Sequence, residues 1–214
     1  MDNLSIKKLI YKIMKLFRYK NFIKESKEDI DYISGVIKRK CKKYGIENYT
    51  INDDGSIDVD ANVYLSNRGL TELPLKFRKV SGEFYCYDNK LTSLEGSPEK
   101  VGGYFDCSDN QLTSLEGISK YISFGIYCEN NKLRDVQGIK DGWRGTFYVE
   151  GNPVYEIFKL FPKERFDEVI EYLNEYEVIR DGKVVVLQAL ELVFHEMDLE
   201  VPEIEEIEGY QIQY

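Results

Sequence analysis

The sequence predicts an α+β solenoid: a ladder of parallel strands wound from a short repeat and closed at both ends by helices. Three observations predict it. A 21-residue period runs through the middle of the chain, a basic stretch with helical periodicity precedes it, and an acidic one follows it. The 214 residues divide accordingly into a basic helical N-terminal cap (1–47), a β-hairpin lead-in with the solenoid (48–157), and an acidic helical C-terminal cap and tail (158–214).

The period is visible by eye. VSGEFYCYDNKLTSLEG, from Val80, returns as VGGYFDCSDNQLTSLEG from Val101. Cys86, Cys107 and Cys128 continue into Val149, and Asn89, Asn110, Asn131 and Asn152 keep the same step. So do Leu91, Leu112, Leu133 and Val154, then Leu94, Leu115, Val136 and Ile157, and the column Phe84, Phe105, Ile126 and Phe147. Val63, Leu65, Leu70 and Leu73 make a degenerate first unit, with Arg68 in the asparagine column. About five units result, more than the three or so that stacking requires.

Each column has a physical reason. Phe105 and Cys107 alternate as one strand whose two large contacts face inward. Stacked strands lie about 4.8 Å apart. Asn110 falls where the chain turns inward, placed to bond the backbone of its own turn and of its neighbour. Gly96, Gly117 and Gly138 suit a turn that needs positive φ. Units this short leave no room for a long helix on the far side, so a turn or 3₁₀ segment is expected there. The cysteines suit a tight apolar core. A metal site is the weaker reading, because no CxxC pair exists and the single histidine, His195, lies outside the repeat.

The pattern Phe-x-Cys-x-x-Asn-x-Leu-x-x-Leu resembles the leucine-rich repeat core over roughly residues 57–157. The longer phrase GxFxCSxNxLTSLEGxPxxV, around 82–101 and 103–122, looks like repeats in proteins of large tailed bacteriophages. YTINDDGSIDVDANVYLSNRGLTELPLKF looks like the lead-in to those repeats, and GNPVYEIFKLF like their exit. The resemblance implies a leucine-rich-repeat-like ladder. Phage accessory proteins of this size often bind and block host factors, including defence components, so by analogy it implies a host-factor inhibitor acting in the host cytoplasm. The alternative is a virion or assembly component.

The flanks read as caps, which a solenoid needs to cover its raw ends. In residues 4–20, Ile6, Leu9, Ile10, Ile13 and Phe17 share one helical stripe. Ser26 with Asp29 resembles a capping box for a second helix, whose stripe is Ile30, Ile33, Ile37, Cys41 and Tyr44, with Gly45 as its stop. Asp54-Gly55 marks a hairpin turn. Beyond Pro162 a helix carries Phe166, Val169, Ile170 and Leu173. Asp181-Gly182 breaks it, and a second helix or strand-helix segment carries Leu187, Leu190, Phe194 and Met197. The closing VPEIEEIEGYQIQY reads as a short strand or a tail.

Net charge is −9, unevenly spread: residues 1–50 carry 13 Lys/Arg against 6 Asp/Glu, and residues 153–214 carry 5 against 16. Contact of the basic helices with nucleic acid or a membrane surface ranks below capping, since an acidic chain works against duplex DNA. No run of eighteen apolar residues occurs, so no membrane span is expected. Lys7, Lys8 and Lys12 interrupt any apolar leader, which points to a cytoplasmic chain. No phosphate loop, nucleophile elbow or metal-ligand cluster is present. An enzyme is therefore not expected, nor a cofactor, a metal or a small-molecule substrate.

The outward strand positions carry the functional expectation. Between the inward residues fall Tyr64, Tyr85, Asp106, Tyr127 and Tyr148. Beside them fall Tyr87, Glu129 and Glu150 on one flank and Glu83 and Tyr104 on the other. Six of the 17 tyrosines thus share one face with several carboxylates. Tyrosine is a good strand residue in any case, but it is also a low-entropy contact residue. The carboxylates have no packing role in the ladder, and a partner protein with a basic surface would complement them.

Overall fold

In the computed structural model, residues 31–214 are described; the stripe in residues 4–20 and the Ser26–Asp29 cap lie outside them. The framework follows from the asparagine column. Asn110 Nδ2 donates to the carbonyls of Cys107 (3.1 Å) and Ser108 (3.0 Å) in its own turn and of Cys86 (3.0 Å) in the turn before. Its Oδ1 accepts from the Leu91 N–H at 2.9 Å. Asn89, Asn131 and Asn152 repeat the arrangement, each buried, and each reaches back to the previous turn. One side chain thereby satisfies polar groups that the tight inward bend would otherwise orphan.

Around this ladder the chain winds as a β-solenoid of about four turns. A helix, α1 (31–44), leads in. Most turns then carry two short strands rather than one. In the first sheet, β1 (Tyr49–Ile51) pairs antiparallel with β2 (Ile57–Val59). Three strands stack parallel beyond β2: β4 (Phe77–Val80), β6 (Lys100–Val101) and β8 (Tyr121–Ile122). The second sheet is wholly parallel: β3 (Val63–Tyr64), β5 (Phe84–Tyr85), β7 (Tyr104–Asp106), β9 (Gly125–Tyr127) and β10 (Thr146–Tyr148).

The second strand per turn corrects the expected turn or 3₁₀ segment. Val80, Val101 and Ile122 face inward from the first sheet and close the core opposite the leucines. The corner between the sheets is tight: a Cβ on Gly102 would sit 2.0 Å from the Ser81 carbonyl oxygen. The expected glycine column does adopt positive φ, 90°, 88° and 107° at Gly96, Gly117 and Gly138. Phe84 and Phe105 stack at 5.2 Å between centroids in the sealed interior.

Both ends are covered. Gly45 (φ 68°) ends α1, and the Ile46 N–H returns to the Cys41 carbonyl at 2.9 Å, a Schellman closure. Ile37 and Cys41 are buried, while Ile33 is half exposed and borders Gly55, so α1 packs most closely through its C-terminal half. Lys40 secures that half by donating to the Pro74 carbonyl at 2.7 Å. At the far end come α2 (Tyr155–Phe158), α3 (Phe166–Glu175), the hairpin β11 (Ile179–Arg180) and β12 (Val184–Val186), α4 (Leu187–Glu196) and β13 (Gln211–Gln213). Phe158 joins the last turn to α3, 5.4 Å from Phe147 and 4.9 Å from Phe166.

This end combines helices with a three-stranded sheet, where the sequence reads a helical cap that leaves a strand-helix segment and a closing short strand open. Asp181 and Gly182 both take positive φ and form a hairpin turn rather than a plain helix break. The closing acidic segment supplies β13, parallel to β12. Trp143 finishes the first sheet, its indole N–H donating to the Ile122 carbonyl at 3.3 Å.

Asn110→Ala leaves the Leu91 N–H unpaired and removes one of two donors from the Cys86 and Cys107 carbonyls, which keep Asn89 and Asn131. At about 1–3 kcal/mol for a buried orphan, urea unfolding is expected to show a loss of about 1–3 kcal/mol. The exposed neighbour Gln111→Ala is expected to stay within about 0.5 kcal/mol of the parent.

Candidate protein-binding face

Strand alternation that buries Phe84, Phe105, Ile126 and Phe147 turns the residues between them outward on the second sheet. The structure brings all ten expected residues to that face. Tyr64, on the edge strand, is 58% exposed, and the others are partly buried by one another. The rings form two stacks. Tyr64 lies on Tyr85 at 5.5 Å and 13° between planes, and Tyr127 on Tyr148 at 4.5 Å and 15°. Tyr87 meets Tyr85 edge-on at 6.3 Å, and Tyr104 meets Tyr127 edge-on at 5.4 Å.

The carboxylates are less idle than the sequence implied. Glu83 accepts the Tyr85 hydroxyl at 2.6 Å, and that bond raises the tyrosine pKa. Asp106 Oδ1 accepts the Ser108 hydroxyl (2.6 Å) and N–H (3.0 Å). Glu150 pairs with Lys163, whose ammonium also lies 5.1 Å from the Tyr148 ring centroid. Burial pushes the Glu150 pKa up, but Lys163 and backbone N–H groups outweigh it and the net shift is down.

Asp106 and Glu129 go the other way: burial raises both pKa values. Glu129 Oε2 is enclosed and accepts no hydrogen bond among the described residues. Nearby Asp106, Glu150 and Asp109 add to its upward shift. The centre of the face is therefore an under-compensated negative site framed by aromatic rings.

Cys86, Cys107 and Cys128 are free, buried and flanked by apolar side chains, and desolvation pushes their thiols well above the usual range. They act as packing, the reading the column spacing favoured. His195 is exposed on α4. Among the described residues, no group of three or more His, Cys, Asp or Glu is placed to hold a metal, and no helix is long and apolar enough to cross a membrane. Sequence reasoning missed Lys163, which closes one end of the face; it falls outside every repeat column. Comparison of the chain with protein-family models, curated proteins and solved structures finds no match.

Two outcomes follow from these environments. A carboxyl whose folded pKa exceeds its unfolded value destabilises above that folded pKa and ceases to do so as pH falls through it. Glu129→Gln is expected to raise Tm at pH 7 by about 1–2 °C, a screened, sub-kcal/mol effect, and the gain is expected to vanish near pH 4. Iodoacetamide at pH 8 is expected to leave Cys86, Cys107 and Cys128 unmodified in the folded chain and to label all three in urea, read by mass spectrometry.

Proposed function

We propose that the chain is a non-enzymatic, phage-encoded protein-binding solenoid, a leucine-rich-repeat-like ladder that captures and inhibits a host defence protein in the host cytoplasm. The observation that carries the reading is the gathering of six tyrosines and several carboxylates on one sheet face above a repeating apolar core. Asparagine, cysteine and leucine hold the scaffold, while the outward letters differ between units: Tyr85, Asp106 and Tyr127 occupy one position on three successive strands. A structural face would be served by the same residue each time. A binding face uses the differences.

The chemistry suits a basic protein surface. Stacked rings supply large, rigid contact area whose ordering cost is already met within the fold. Asp106 and Glu129 supply charge that the chain itself does not neutralise. Inhibition needs no catalytic group, only occupancy of a surface that the partner requires.

The test is affinity capture from bacterial lysate. A partner held by the parent chain is expected to be lost when Tyr85, Tyr127 and Tyr148 are all changed to Ala, with at least a hundredfold weaker binding of the purified pair. Retention by the triple variant places the contact elsewhere. Stoichiometric recovery of the chain in purified phage particles would instead assign it to the virion.

A further inference from the structure

The tyrosine column has one interruption, and its dimensions are informative. Tyr64, Tyr85, Tyr127 and Tyr148 hold the same outward position on their strands, but on β7 that position is Asp106, in register between Tyr85 and Tyr127. Adjacent parallel strands are about 4.8 Å apart, so the two flanking rings stand about 9.6 Å apart, with the short Asp106 side chain in register between them and Tyr104 of the same strand edge-on to Tyr127. Two rings that both touch one flat group are separated by about 7–8 Å. The gap holds one planar group with little room to spare, and it cannot hold two. Behind each wall another ring backs it up, Tyr64 behind Tyr85 and Tyr148 behind Tyr127.

The floor of the slot is negative. Asp106 keeps one oxygen on Ser108. Just beyond the next strand, Glu129, whose Oε2 is enclosed and unbonded among the described residues, adds negative charge nearby. A flat cation answers all of these features together: a planar body for the two ring faces and several N–H donors for the carboxylates. An ammonium is compact and strongly hydrated and does not fill such a slot. The chain itself shows the same pairing one turn on, where Lys163 lies against the Tyr148 ring and pairs with Glu150. Those two residues stand 21 positions beyond Tyr127 and Glu129.

We propose that the Tyr85–Asp106–Tyr127 slot takes the guanidinium of one arginine presented by the protein partner. The inference rests on the partner-binding reading of this face and adds the chemical identity of the group at its centre. The interruption of the stack is then the specificity element: a continuous tyrosine column would offer area without a socket.

Two variants separate the slot from the face. Asp106→Tyr fills the gap with the residue that four other units carry there, and Asp106→Asn keeps the shape while removing the charge. The probe is the peptide acetyl-Gly-Ser-Arg-Ser-Gly-amide, titrated against the full chain by NMR, with citrulline and lysine versions alongside. The arginine side-chain protons are expected to move upfield under the ring currents of Tyr85 and Tyr127. Citrulline is expected to bind at least tenfold more weakly and lysine several-fold more weakly. Asp106→Tyr is expected to lower affinity at least tenfold and Asp106→Asn several-fold, with circular dichroism unchanged. Equal binding of arginine and citrulline, or undiminished binding to both variants, overturns the slot. A captured partner that survives Asp106→Tyr but not the triple tyrosine variant overturns the slot and leaves the face standing; one that survives the triple variant overturns both.

Discussion

The hydrogen bonds of one amide column govern this molecule. A chain that turns inward every 21 residues must bury backbone N–H and C=O groups at each bend, and the bends stack on one another, so solvent cannot reach them. An asparagine side chain carries a donor pair and an acceptor on one short arm. At Asn110 the three Nδ2 contacts and the Oδ1 contact span two successive turns. Each turn is thus tied to its predecessor by side chain as well as by strand pairing. The period and the alignment of every outward column follow from that tie.

Because the core is fixed by a few columns, the outward positions are released to vary. The second sheet uses that freedom unevenly. Its tyrosines stack pairwise into two rigid blocks, and Asp106 separates them. Glu83 and Glu150 are committed to Tyr85 and Lys163, which leaves Asp106 and Glu129 as the carboxylates whose burial the chain does not compensate with a cation. Uncompensated burial in the middle of an aromatic face costs folding free energy, and such a cost persists where a partner group offsets it on binding.

Much of this was legible in the sequence, for definite reasons. Asn89 through Asn152, the cysteines and the leucines repeat at one spacing, so their burial and the outward direction of Tyr85, Tyr127 and Tyr148 followed from period and alternation alone. The second strand ladder was not legible. β6 and β8 are two residues each and contribute one inward side chain apiece, too few to establish alternation. The column Val80, Val101 and Ile122 carries the signal, but two or three corner residues separate it from the next strand and mask it as loop. Of the contacts that close the ends, Trp143 with Ile122 keeps the 21-residue step, whereas Lys163 with Glu150, and Arg134, whose guanidinium lies 5.3 Å from the Tyr210 ring, fall outside it.

The account makes the second sheet's face the working surface and leaves the rest of the solenoid as support. Hydroxyl-radical footprinting of the chain with its captured partner tests this most directly, because tyrosines report from several surfaces at once. The account predicts protection of Tyr85, Tyr87, Tyr127 and Tyr148 on binding, with Tyr121 on the first sheet and Tyr214 at the C-terminus oxidised as in the free chain. Protection of Tyr121 or Tyr214 while the four face tyrosines stay as reactive as before would contradict it.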